Sequence, residues 1–386
     1  MTQPPRGFPL STFQARSDAA QEKMRELGLD ALLLTTEVEV RYYTGFLTRF
    51  WESPTRPWFV VLPQTGAPIA VIPAIGEHLM GQTWVTDIRT WQAPNYDDDG
   101  VSLLTQTLLE VVPEGGRIGL ADHLESHLRM PLGDFQRLQH ALTGREIVGD
   151  GRITFDLRQI KSPEEIQKIE VATGIANRAF DRVAEIAAPG RPLSEVFRNF
   201  QRLCLEEGAD WVPYLAGAAG AGGYGDVISP ATDTPLELGD VLMLDTGLVW
   251  DGYFCDFDRN FSLGPPSTEV AEAHAALIEA TQAGFELARP GARISDLFSA
   301  MNAVVNPGGS GSDAGRLGHG LGMQLTEGPS IIPADHTVLR PGMVLTLEPG
   351  IALPGGKIMV HEEDILITEG PARYLSAPQA SDIRVL

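Results

Sequence analysis

One segment of this chain occurs twice. The stretch AAPGRPLSEVF at 187–197 returns as LARPGARISDLF at 287–298, sharing the pattern P-G-x-x-[LI]-S-[ED]-[VL]-F, with Pro189 and Pro290 standing 101 residues apart. A helical run leads into each copy. Ser194 or Ser295 is then expected to cap the next helix, because a serine hydroxyl can accept from the free N–H groups of a first turn. Carboxylates follow nearly the same period: Asp245 to Glu348 spans 103 residues and Asp256 to Glu363 spans 107. An ordinary inter-helix turn would give the proline–glycine motif by itself, but not the matching acids. The spacing predicts a helix–helix–hairpin unit used twice about a pseudo-twofold axis, with an acid pair from each half meeting at the centre.

Ahead of the repeat lies a different kind of chain. Helical stripes at 11–28, 101–110 and 131–142 alternate with apolar runs such as ALLLTT, WFVVLP and IAVIPA, which predicts an α/β domain. The full length of 386 residues exceeds what one typical core serves. We therefore expect two domains, 1–155 and 156–386, in an α/β (α+β) fold. Ser162-Pro163-Glu164-Glu165 opens the second with a capping box and proline at the first helical position,.

A net charge of −22 argues against phosphate backbones and anionic membranes as partners,. No apolar run reaches the ~20 residues of a membrane span, and the first residues lack the basic-then-apolar order of a secretory signal. Two cysteines, Cys204 and Cys255, give neither a disulfide framework nor a zinc spacing, so cytoplasm is the expected compartment,.

The chemistry resides in the acids. Asp251-Gly252 marks a hairpin between apolar strands. Whichever pair forms its loop, Asp245 lies across from Asp256 or Asp258, and period-two alternation gives all three one face. Carboxylates on buried strands are costly unless compensated. With His319 in the glycine-rich run Gly318–Gly322 and Glu348 and Glu363 in two further strands, the donor set is hard oxygen plus one imidazole. That suits two divalent ions such as Mn²⁺, Co²⁺, Zn²⁺ or Fe²⁺ better than a thiolate-type zinc site. Such a pair activates water and polarises a carbonyl.

These motifs resemble the pita-bread superfamily of methionine aminopeptidase, aminopeptidase P, prolidase and creatinase. The matches are D-x-G-x(4)-G-Y-x-x-D from Asp245 to Asp256, G-H-G-L-G around His319, L-E-P-G around Glu348, and E-D at Glu363-Asp364. Ile160–Ile166 and Arg41–Phe46 resemble its prolidase/creatinase branch. The resemblance implies a creatinase-like N-terminal domain, a pita-bread catalytic domain, and a homodimer in which one N-terminal domain borders the partner's site. It implies metal ligands Asp245, Asp256, His319, Glu348 and Glu363, with Asp256 and Glu363 bridging and Glu348 accepting a proton. The activity implied is hydrolysis of Xaa-Pro peptides.

Four positions depart from the peptidase pattern. Val227 and Thr326 stand where two substrate-contacting histidines are expected, His361 where an arginine is, and Asp258 where a threonine is. Thr326 keeps a hydroxyl donor, and His361 is a candidate donor or acid or, equally, a support for the metal ligands. Asp258 is open to two readings, an extra ligand or a salt-bridge partner for Arg259, and is expected to support the ligands from behind rather than bind an ion itself. Tyr214, Tyr224, Trp51, Arg56 and Trp58 are candidate walls for a peptide or other small-molecule substrate. A second reading is an enzyme of the same fold acting on a small metabolite, by amide or amidine hydrolysis or by elimination. A third is a catalytically silent binding protein.

Overall fold

The computed structural model describes residues 3–53, 56–309 and 315–386. They form two compact units, divided between Arg158 and Gln159. In the first unit a six-stranded mixed sheet runs in the order Asp87–Trp91, Ile69–Pro73, Phe59–Pro63, Ala31–Leu34, Arg117–Leu120, Glu146–Gly149. Helix Leu10–Leu27 ends where Gly28 turns left-handed at φ 67°. A further helix, Glu37–Thr44, is started by a Thr36/Glu39 capping box.

The second unit is built twice over. Ser162 caps helix Pro163–Asp181 through the Glu165 amide, as its box predicts. Helix Leu193–Glu206 and strands Trp211–Ala221, Asp240–Trp250 and Phe257–Ser262 follow. The second half repeats the order with helices Thr268–Leu287 and Ile294–Val305, then strands Val344–Leu347 and Glu363–Leu366. Each half buries its own apolar core. Phe180, Phe200, Leu242 and Phe257 belong to one, and Leu297, Met301, Leu345 and Ile365 to the other.

Hydrogen bonds at the repeated turns match in detail, but not through serine. Backbone amides of Gly190, Leu193 and Ser194 donate to the carbonyls of Leu236, Thr234 and Thr232. Those of Gly291, Ile294 and Ser295 donate to Leu339, Thr337 and Asp335. A passing segment thus satisfies each helix start, and Ser194 and Ser295 are not the caps we expected. Their hydroxyls contact Asp233 at 2.6 Å and His336 at 3.1 Å instead. The first helical residues are Leu193 and Ile294.

The register of the first hairpin decides which acids meet. Asp251 and Gly252 occupy φ 48° and 80°, as a two-residue type I′ loop requires. Trp250 then pairs with Tyr253 and Asp245 with Asp258. Lys168, on helix Pro163–Asp181, forms a buried ion pair with Asp251 and lies 5.5 Å from the Trp250 ring centre. Lys161 makes a second buried pair with Glu327 at 3.1 Å. Among the described residues no helix is long and apolar enough to cross a membrane.

Removing one member of a buried ion pair leaves the other charge uncompensated. Lys168→Met is therefore expected to lower unfolding free energy by ~3–5 kcal/mol, measured by urea denaturation. A loss below 1 kcal/mol would show that the pair does not anchor the hairpin.

Candidate metal centre

His319 is delivered by a close backbone approach. Gly318 sits at φ +142°, and a side chain there would meet the Thr346 carbonyl at 2.2 Å. This lets the His319 amide donate to Thr346 Oγ1 at 3.1 Å. Its Nδ1 lies 2.9 Å from the Gly320 carbonyl oxygen, which assigns the proton to Nδ1 and leaves Nε2 as a lone pair. Nε2 stands 3.5 Å from Asp256 Oδ2 and 4.0 Å from Glu348 Oε1. Burial, helped by nearby Arg316, pushes this imidazole down to about 4. The contact with Asp256 is therefore not an ion pair at neutral pH: the ring is neutral, as a ligand must be.

Each of three acids around it keeps an oxygen without a donor. Among the described residues, Asp245 Oδ1, Asp256 Oδ1 and Glu362 Oε1 are buried side-chain oxygens without a hydrogen-bond partner. Burial first, then repulsion from Asp245, pushes Asp256 well above the usual carboxylate range. Burial and Asp256 do the same to Glu362. Asp245 is raised by burial and by Asp258, and Glu348 by burial, partly offset by Arg316. Asp256, His319 and Glu362 bring ligand atoms within 4.8 Å of one another. Neutral imidazole plus buried carboxylates that each keep an unpartnered oxygen is a fit to divalent cations, which would supply the compensating charge,. Glu348 is the more open acid, its side chain 25 % exposed.

The second-half acid differs from our expectation. Lys357–Val360 pairs with Gly350–Leu353, and a separate strand begins at Glu363. Leu347 pairs with Glu363, so continuing one residue sets Glu348 against Glu362. Glu363 is turned away and saturated. It accepts from Arg259 Nη2 at 2.9 Å, the Gln379 amide at 2.9 Å and the Ser376 hydroxyl, and lies 3.2 Å from His361 Nε2. Burial opposes its charge, yet Arg259 and His361 overcome this and hold it down to about 2. Four lone-pair positions are thereby engaged, and Glu362 replaces Glu363 in the candidate set. Counted from Glu362, the residue two before is Val360.

Other expectations also change. His361, 1 % exposed, is wedged between Asp258 and Glu363, at 3.4 and 3.2 Å. It orients carboxylates and does not present a free edge to substrate. Arg259 pairs with Glu363, not Asp258; it touches only the Asp258 backbone carbonyl. Thr326 Oγ1 accepts from Arg316 Nη2 at 3.3 Å, and Arg316 Nε lies 3.5 Å from Glu348. Sequence reasoning missed Arg316 and Glu362, although the Glu362-Glu363-Asp364 run announced a choice among acids. Val227 packs against an apolar cluster.

Of the wall candidates, Tyr214 donates to Asp245 Oδ2 at 3.0 Å. Tyr224 is core, with its hydroxyl taking the Val360 amide at 2.7 Å. Trp58 and Trp51 pack together in the first unit, 2 % and 8 % exposed, and so are not walls there. Arg56 lies over the Phe50 ring at 5.1 Å, and its carbonyl accepts from Arg129.

Residues 167–369 match the sequence profile described as Metallopeptidase family M24, and residues 16–160 match the Creatinase/Prolidase N-terminal domain. The chain belongs to metallopeptidase family M24. It is a hydrolytic, metallopeptidase-like enzyme with the pita-bread fold. A "Probable dipeptidase PepE" of Mycobacterium bovis is 28% identical over 370 residues, covering 95% of each chain. A Pyrococcus furiosus "Xaa-Pro dipeptidase" is 33% identical over 222 residues, covering 57% of this chain and 64% of that one. The crystal structure of dipeptidase PepE from Mycobacterium ulcerans superposes with a TM-score of 0.84 at 26% identity, covering 98% of this chain and 99% of the other.

Two measurements discriminate here. Glu362→Gln is expected to abolish retention of divalent metal by mass spectrometry. Glu363→Gln should keep metal while costing ~3–5 kcal/mol of stability, through the uncovered Arg259. The reverse pattern would restore Glu363 as the ligand.

The second is pH dependence. The raised acids hold protons in the folded, metal-free chain that the unfolded chain releases above about pH 4. Their stabilisation is lost as pH rises from about 4 through neutrality. The melting temperature of chelated protein should fall between about pH 5 and about pH 8, and added divalent cation should shrink that fall. Glu363 acts oppositely, its contribution disappearing as pH drops from about 4 towards about 2,.

Proposed function

We propose that this chain is a metal-dependent dipeptidase that cleaves Xaa-Pro substrates, working with two divalent ions held by Asp245, Asp256, His319, Glu348 and Glu362. The observation that carries the proposal is the set of buried, donor-free oxygens on Asp245, Asp256 and Glu362, gathered around a neutral imidazole. The relatives named as dipeptidases support the substrate class. The donor set suits Mn²⁺, Co²⁺, Fe²⁺ or Zn²⁺, with manganese our first choice. We further propose a cytoplasmic homodimer.

Bound ions of this kind polarise a carbonyl and make water a stronger nucleophile near neutral pH. The chain's own residues do the rest. Glu348, partly open and with its proton affinity raised, is placed to take a proton from water and return it to the leaving nitrogen. Tyr214 fixes Asp245 by its hydroxyl. Arg316, beside Glu348, and Thr326, beside Arg316, are the donors offered to substrate, whereas Val227 offers none. Their hydrogen bonds would be aimed at a carbonyl oxygen or a substrate carboxylate, work typically worth ~2.7–4 kcal/mol per donor at a developing oxyanion.

A metabolite-directed enzyme of the same fold is not favoured, because no observation in the site selects it. Ala-Pro and Gly-Pro assayed with Mn²⁺, Co²⁺ and Zn²⁺ test the proposal: hydrolysis with at least one ion is expected, and no turnover with any of them would overturn it. Glu348→Gln should lower kcat by ~10²–10⁴-fold.

A further inference from the structure

Asp258 is the carboxylate that this ligand set does not explain. It pairs with Asp245 across the strands and is 1 % exposed, so it lies on the face that carries Asp245 and, by alternation, Asp256. Its two oxygens have different surroundings. Oδ1 accepts the Glu362 amide at 3.1 Å and stands 3.4 Å from His361 Nδ1. Oδ2 is buried and has no hydrogen-bond partner among the described residues. Asp245, Glu348 and Glu362 all feel its charge.

A residue that only held the Glu362 amide would need a single acceptor oxygen. The threonine that the resembling peptidases carry here offers one. What this chain adds is a second oxygen and a negative charge, placed among acids that already repel one another. Such an addition is unfavourable unless something positive shares it. The far side of Asp258 is already braced: His361 reaches Glu363, and Glu363 reaches Arg259. The Glu362 amide holds Oδ1, with His361 Nδ1 beside it, while Oδ2 has no partner among the described residues.

We propose that Asp258 is a fifth carboxylate ligand of the metal centre, its Oδ1 supporting Glu362 and its Oδ2 contributing directly to holding a divalent cation. This rests on the metal-centre reading above and deepens it. The chain would bind one of its ions more tightly than a threonine-bearing site could. It would also carry one more negative charge around the ions.

The test uses full-length, metal-stripped protein titrated with Mn²⁺ alone, comparing wild type, Asp258→Asn and Asp258→Thr. The asparagine keeps an acceptor for the Glu362 amide, and the threonine restores the single-oxygen support. Folding of each variant is checked by circular dichroism in chelator; should the asparagine variant not fold, the threonine variant decides. Both are expected to lose affinity for one ion by more than about 100-fold, beyond what a residue merely supporting a ligand typically costs. The visible absorption of Co²⁺-loaded protein, which reports coordination geometry, is expected to change in both. If Asp258→Thr binds Mn²⁺ within twofold of wild type, or its Co²⁺ spectrum is unaltered, Asp258 is a prop and the proposal falls. If wild type itself takes up no divalent cation, the metal-centre reading fails first and this one falls with it.

Discussion

Carboxylates that share one dry pocket repel one another, and the architecture of the catalytic unit follows from managing that repulsion. Asp245, Asp256, Asp258, Glu362 and Glu363 sit on, or just before, strands that are buried along almost their whole length. Water cannot screen them there. The fold handles them in two groups. Glu363 receives an arginine, a serine hydroxyl, a backbone amide and a histidine edge, and stays ionised. Asp245, Asp256 and Glu362 keep oxygens that receive nothing. The boundary between the groups runs between adjacent residues, Glu362 and Glu363, whose side chains extended backbone sends to opposite faces.

Duplication explains how acids from distant sequence come so close. Each half supplies an acid within or at the end of one strand, Asp245 or Glu348, and another just before the next strand, Asp256 or Glu362. The repeated turns at Gly190 and Gly291 use the same sequence of backbone hydrogen bonds, so the two halves start their second helices alike. Each then packs its own apolar core behind its own acids. The family's hydrolytic chemistry thus depends on a seam that neither half contains alone.

Much of this was legible in the chain, for identifiable reasons. The Asp251-Gly252 loop has strong local chemistry, so the pairing of Asp245 with Asp258 was within reach before any coordinates. The Ser162 cap was readable because Pro163 and Glu165 reinforce it. Where local chemistry was weak or tertiary contacts overrode it, reading failed. Ser194 and Ser295 look like caps, but carbonyls from another segment reach the amides first. Glu362 was passed over because IMVHEED reads as an unbroken alternating strand, while the chain changes partner strand between Val360 and Glu363. Tyr224 and Trp58 could not be told from wall residues, since burial of an aromatic ring depends on neighbours far away in sequence.

The tip formed by Asp251 and Gly252 carries a consequence of its own. Both residues turn left-handed, and together they fix which side chains of the returning strand look inward. One extra residue there would rotate Asp256 and Asp258 outward and bring Cys255 and Phe257 towards the cations' place. Drift at this tip is therefore barred from altering length, and at Asp251 identity is held as well by the pair with Lys168. An enzyme built this way guards a count as strictly as it guards a composition.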